Sequence, residues 1–205
     1  MIVPAIIARS QGELEEMLDR VRGRARRVML DVMDGEFVPG TSLDFDFELP
    51  LGFEYEAHLM VERPLEWLER NAGKIHITIL HVETLDDIER ALREAKGMGL
   101  RVALALNPET GLDAVVPYLG EVHGVLVMTV SPGRYGGRFL PETLRKVRRL
   151  REMDGAIPIE VDGGMSPENA RRARDAGADI FASGSYILRS DDPGRAMEEL
   201  REAVT

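Results

Sequence analysis

Residues 157–185 read IPIEVDGGMSPENARRARDAGADIFASGS, and the alternation inside this stretch decides the fold. A short apolar run, Ile157–Val161, passes through Asp162, Gly163 and Gly164 into the helical pattern PENARRARDAG, opened by Ser and Pro at capping positions. Gly177 stands where a left-handed C-cap turns the chain back, and a second apolar run, Ile180–Ser183, follows. Strand, helix and strand at this spacing read as a parallel βαβ unit.

The unit repeats outward from there. Ile2–Ile7, Arg27–Val32, Tyr55–Val61, His76–Val82, Arg101–Leu106 and Gly124–Val130 are further candidate strands, eight in all. Amphipathic patterns such as GELEEMLDRV, PLEWLERNA, LDDIERALREAK, PETLRKVRRLREM and PGRAMEELREAV fall between them. The segment TSLDFDFELPLG is the weak link, with a short or irregular helix expected. No linker or second-domain composition shift interrupts the series, so residues 1–205 are predicted to form a single (β/α)8 TIM barrel of the α/β class. The runner-up is an open doubly wound sheet.

Composition narrows the function. A net charge of -10 argues against a nucleic-acid binder, which needs a basic face to displace counterions. No apolar run approaches the ~20 residues of a membrane helix. The chain has no cysteine, which excludes disulfides, thiolate nucleophiles and Cys-based zinc sites. The opening MIVPAII lacks the basic region of a signal peptide, and a cytoplasmic protein is expected.

A (β/α)8 barrel collects its functional groups where strands end and loops begin. Candidates at those points are Asp31 and Asp34 in MLDVMDGEF, His58 in EAHLMV, His81 and Glu83 in ILHVE, Asn107, the segment SPGRYGGRF, Asp162, and Gly184 with Ser185. Strand alternation sorts them. Val28, Leu30 and Val32 form an aliphatic face for the helix ring, which leaves Met29, Asp31 and Met33 pointing into the barrel. By the same parity Glu160 and Asp162 share one face, as do His58 and Met60. A buried carboxylate needs a cation, a hydrogen-bond network or a catalytic task. Either aspartate alone fits a satisfied polar core equally well; both together, with His58, favour function. VDGG and SGS put small residues and free backbone amides where barrels hold phosphate. Arg134 and Arg138 flank a third glycine-rich turn. His76 and His123 fall near strand starts, the stability face, and His81 beside Glu83 suits either a supporting hydrogen bond or a structural role.

The segments LDVMDGEFVP, HLMVERP, VMTVSPG, IEVDGG and ASGSYILRSDDP, in this order, resemble the ribulose-phosphate 3-epimerase family over essentially the whole chain. The resemblance implies a barrel of the ribulose-phosphate-binding type and inversion at C3 of a ketopentose phosphate, interconverting D-ribulose 5-phosphate and D-xylulose 5-phosphate. The family's catalytic aspartates match Asp31 and Asp162. Its divalent metal (zinc, manganese, iron(II) or cobalt) is held by two histidines and two aspartates, of which Asp31, His58 and Asp162 are present. The fourth position is Met29, a weak thioether ligand, so the metal is expected to be weak or absent. Met33, Met60 and Met128 match the family's methionines that cushion the sugar, and Gly133, Gly136, Gly163, Gly164, Gly184 and Ser185 match its phosphate-binding positions. Ala5 replaces a substrate-touching serine, and Arg134 and Tyr135 stand where Phe and Gly are usual. These departures keep open a related barrel enzyme acting on a different sugar phosphate without the metal, or a non-catalytic sugar-phosphate sensor. The expected partner is a small phosphorylated sugar, with a homo-oligomer possible.

Overall fold

Eight strands, each parallel to its neighbours, run Ile2–Ile6 (β1), Arg27–Asp34 (β2), Glu54–Met60 (β3), Ile77–His81 (β4), Arg101–Leu106 (β5), Gly124–Met128 (β6), Ile159–Asp162 (β7) and Ile180–Ser183 (β8). β1 pairs with β2 on one side and β8 on the other, so the sheet closes into a barrel. The computed structural model describes residues 1–133 and 136–205, and Arg134 and Tyr135 lie outside it.

The helices are Gln11–Val21 (α1), Pro64–Asn71 (α2), Ile88–Gly97 (α3), Leu144–Met153 (α4), Pro167–Ala176 (α5), Ser185–Leu188 (α6) and Pro193–Ala203 (α7). In α5 the causes are local. The Ser166 side chain accepts from the Asn169 amide, Pro167 opens the first turn, and Gly177 at φ 109° ends it. Ala170, Ala173 and Ala176 form its buried stripe, small enough to bring the helix close to the sheet.

Two connections carry no α-helix. After β2 the chain adds a two-residue antiparallel strand, Thr41–Ser42, and then runs irregularly to β3, without the short or irregular helix the sequence pattern suggested. Phe47 fills the space a helix would cover by stacking on Trp67, centroids 6.2 Å apart. Between β5 and β6 only two 3₁₀ turns form, Leu112–Ala114 and Val116–Tyr118. Pro108, Gly111, Pro117 and Gly120 deny this segment a continuous helix.

Alternation divides the apolar residues as expected. Val28, Leu30 and Val32 pack outward in the layer shared with Leu14 and Leu18 of α1. Val3, Met29, Ile77, Ile79, Leu126 and Met128 pack inside the barrel. Beneath them, at the amino ends of the strands, lies an ionic floor. Arg27 reaches Glu54 at 2.7 Å and Glu56 at 3.2 Å, and Arg101 also pairs with Glu54. Glu56 and Glu160 are both buried at this end. Burial raises both carboxyls, Glu56 to about 7, and the nearby Glu56 charge raises Glu160 further. Among the described residues, no helix is long and apolar enough to cross a membrane.

Candidate active site

The other end of the barrel interior is built by β2, β3 and β7. Asp31 and His58 are register partners on adjacent strands, and Asp162 ends β7 opposite Met128 of β6. Their positions follow from the parity that put aliphatic residues outside. His58 Nδ1 lies 3.2 Å from Asp31 Oδ1 and 3.5 Å from Asp162 Oδ2, and all three residues are buried. Burial raises the Asp31 carboxyl to about 7. Asp162 rises to about 7 through burial and then through the nearby Asp31 charge. Burial lowers His58, against the pull of Asp162. No Lys or Arg among the described residues pairs with either aspartate.

These three side chains fit a divalent cation. Each offers one ligand atom, and the three atoms lie within 4.8 Å of one another. Two ligands on a tetrahedral ion at about 2.1 Å sit about 3.4 Å apart, which is the separation His58 keeps from each aspartate. Oxygen and imidazole donors suit zinc, manganese or iron(II). Met29 adds nothing polar. It is fully buried in the apolar interior, in register with Ala5 and Glu56.

Above the triad opens a cavity whose lining includes Asp31, Asp162, Met60, Met128, Gly133, Gly136, Gly163, Gly164, Gly184 and Ser185. His58 sits beneath it, without exposed surface. Met33 is set to one side, in an apolar cluster with Val38 and Met60 that Ile7 and Phe37 complete. Ala5 and Ile7 also line the cavity, whereas the exposed Arg138 does not. Gly163, at φ 110°, is required by space as well as conformation, because a Cβ there would lie 2.3 Å from Val130 Cγ2. Thr129 Oγ donates to the carbonyls of Asp162 and Gly163, fixing the turn that carries both the carboxylate and the glycines.

Other sequence candidates lie outside the cavity. Asp34 accepts the Glu36 and Phe37 amides on Oδ1 and the Glu62 amide on Oδ2, so it braces the loop after β2. His76 and His123 stay at the floor end, where His76 Nδ1 accepts the Tyr55 amide. His81 is fully buried and touches His58, Nε2 to Nε2, at 2.9 Å; its Nδ1 lies 3.1 Å from Glu83. Burial lowers His81 to about 4. The ionic floor is what the sequence reading missed: Glu160 points inward by parity, but Arg27, Glu54 and Glu56 were not placed there, although Arg27 shares the parity of Asp31.

Two carboxylates and an imidazole converge under glycine turns at the carboxyl end of a (β/α)8 barrel, the end where enzymes of the TIM-barrel class carry their active sites. The chain belongs to the ribulose-phosphate 3-epimerase family, an isomerase family whose sequence profile matches residues 1–188. The ribulose-phosphate 3-epimerase of Methanocaldococcus jannaschii is 39% identical over 187 residues, spanning 85% of this chain and 78% of its own. The enzyme named as the cytoplasmic isoform in Oryza sativa subsp. japonica is 35% identical over 214 residues, spanning 99% and 93%. Among solved structures, 3-hexulose-6-phosphate synthase from Salmonella typhimurium superposes with TM-score 0.69 over 99% of this chain and 97% of its own; at 19% identity it shares the fold.

Proposed function

We propose that this chain interconverts D-ribulose 5-phosphate and D-xylulose 5-phosphate, with Asp31 and Asp162 as the pair that moves the C3 proton. The observation that carries the reading is that these two carboxyls face one cavity from β2 and β7, flanking His58, with no basic side chain among the described residues to neutralise them. One aspartate, ionised, takes the proton as the C3–H bond breaks, leaving an ene-diolate. The other, protonated, returns a proton to the opposite face. Burial that brings both groups to about 7 suits one proton shared between two carboxyls at neutral pH.

Asp31, His58 and Asp162 would hold a divalent cation, which when bound supplies positive charge for the ene-diolate oxygens. Backbone amides of Gly164 and Gly184, with Ser185, would take the phosphate, while Met60 and Met128 pack against the carbon chain. A cytoplasmic setting accords with the name of the rice relative.

Protein purified without chelator is assayed for bound metal and given ribulose 5-phosphate in deuterated water. Xylulose 5-phosphate carrying deuterium at C3 is expected; an absence of both product and exchange overturns the reading. Met29 and Ala5 favour a second one, a related enzyme for another sugar phosphate, because both put apolar groups where the resemblance expects polar ones. Turnover confined to a different phosphorylated sugar would select it.

A further inference from the structure

His58, His81 and Glu83 form a file that leads away from the two aspartates. The rings of His58 and His81 lie within 19° of parallel, with centroids 5.0 Å apart. Their Nε2 atoms are only 2.9 Å apart, so the rings meet edge to edge. Next in line, His81 Nδ1 faces Glu83 Oε2 at 3.1 Å. The other carboxylate oxygen, Oε1, accepts the Asn107 amide at 2.8 Å and the Thr110 hydroxyl. At the opposite end of the file, His58 Nδ1 faces the aspartates.

Neutral imidazole carries one N–H and one lone pair, so each contact in such a file dictates the next. Both rings are fully buried, which disfavours the imidazolium form. An ionised carboxylate can only accept, and Glu83, whose side chain is 20% exposed, keeps that form. His81 therefore carries its proton on Nδ1 and turns a bare Nε2 toward His58. The contact at 2.9 Å then requires His58 to donate from Nε2. The reverse order would set the lone pair of His81 against the lone pairs of Glu83.

We infer that Glu83 is a positioning residue which, through His81, fixes the ring proton of His58 on Nε2 and leaves Nδ1 as a bare lone pair directed at Asp31 and Asp162. The inference deepens the proposed function by assigning the metal-ready form of the site to a residue outside it. Such outer partners orient a histidine ligand and raise its basicity.

Glu83→Gln tests it without a change of shape. The Asn107 amide is an obligate donor, so the glutamine carbonyl must take the Oε1 position. Its NH2 group then falls at Oε2 and donates to His81 Nδ1, and the whole file reverses. His58 should become protonated on Nδ1, with the proton occupying the ligand position.

Long-range 15N–1H NMR of metal-free, histidine-labelled protein reads the tautomers directly. The parent is expected to show His58 protonated on Nε2 and Glu83→Gln to show it on Nδ1, with zinc binding weakened by ~10–100-fold in calorimetry. Thr110→Val removes a donor from Oε1 only and should leave both tautomer and affinity as in the parent. A parent His58 protonated on Nδ1, a cationic ring, or an unchanged tautomer in Glu83→Gln each overturns the inference. So does weaker zinc binding without a tautomer change. If Glu83→Gln does not fold, the parent spectrum decides alone. The tautomers are read without metal, so a parent that binds no metal at all would count against the proposed function and leave this inference standing.

Discussion

The barrel buries carboxylates at both ends of its interior, and the two ends treat them differently. At the floor, Arg27 meets Glu54 and Glu56, and Arg101 also meets Glu54, so the protein supplies its own cations. At the mouth, Asp31 and Asp162 meet a neutral-leaning imidazole and, among the described residues, no Lys or Arg. Burying a charge without a partner costs several kcal/mol, so the mouth tolerates its carboxyls only by holding a proton or by taking a cation from outside. The floor therefore carries its cations already, and the mouth is a site with room left for chemistry.

The contrast breaks most visibly through activity. Asp162→Asn keeps the shape and removes a proton carrier, and it should lower C3 exchange and epimerisation by ~10²–10⁴. Steady-state assays check this, and unchanged turnover would remove Asp162 from the reaction. Floor changes should act on stability instead. Arg27→Met leaves the buried Glu56 without its cation, while Glu54 keeps Arg101, and is expected to cost about 3–5 kcal/mol in denaturant melts. If the protein folds, the mouth should keep its turnover.

A pH experiment sharpens the same difference. Asp31 moves from its ordinary 3.8 to about 7 in the folded chain, so the fold favours its protonated form. Below pH 4 both states are protonated and the carboxyl carries no penalty; the penalty grows as pH rises toward 7. Metal-free Asp31→Asn should therefore gain melting temperature over the parent between pH 4 and 7. Zinc added to the parent should close the gap. A gap that does not change with pH would show that Asp31 is not held in the protonated form.

Met29→His is the smallest change and crosses from one end toward the other. A fourth protein ligand should lower the zinc Kd in calorimetry, by about tenfold for each 1.4 kcal/mol that imidazole adds over thioether. No change in affinity would mean that the apolar interior around Met29 does not admit the ring to the metal position.

The mouth was readable in the sequence because strand parity is strict. Once Val28, Leu30 and Val32 are outside, Asp31 must be inside, and the same reasoning carries Asp162 and His58. The floor obeys the same parity, but its meaning lies in pairs such as Arg27 with Glu54, joined by strand register rather than spacing. Parity alone does not supply that register. The helix missing after β5 was signalled by its prolines and glycines, yet the count of eight units did not ask what covers each strand. Asp34 shows the opposite failure. It stands in the same motif as Asp31, and its three accepted amides give it to the loop instead.

The closure of the sheet has a consequence for how the chain is made. Ile2, Val3 and Pro4 lie beside Phe181, Ala182 and Ser183, so one edge of the first strand synthesised waits for the last. Until β8 has left the ribosome, β1 and β7 each present an unpaired parallel edge, and both faces of β1 are wholly apolar. A nascent barrel of this kind is open to the wrong partner for nearly the whole time of its translation, and the slowest contacts to form are those that seal it.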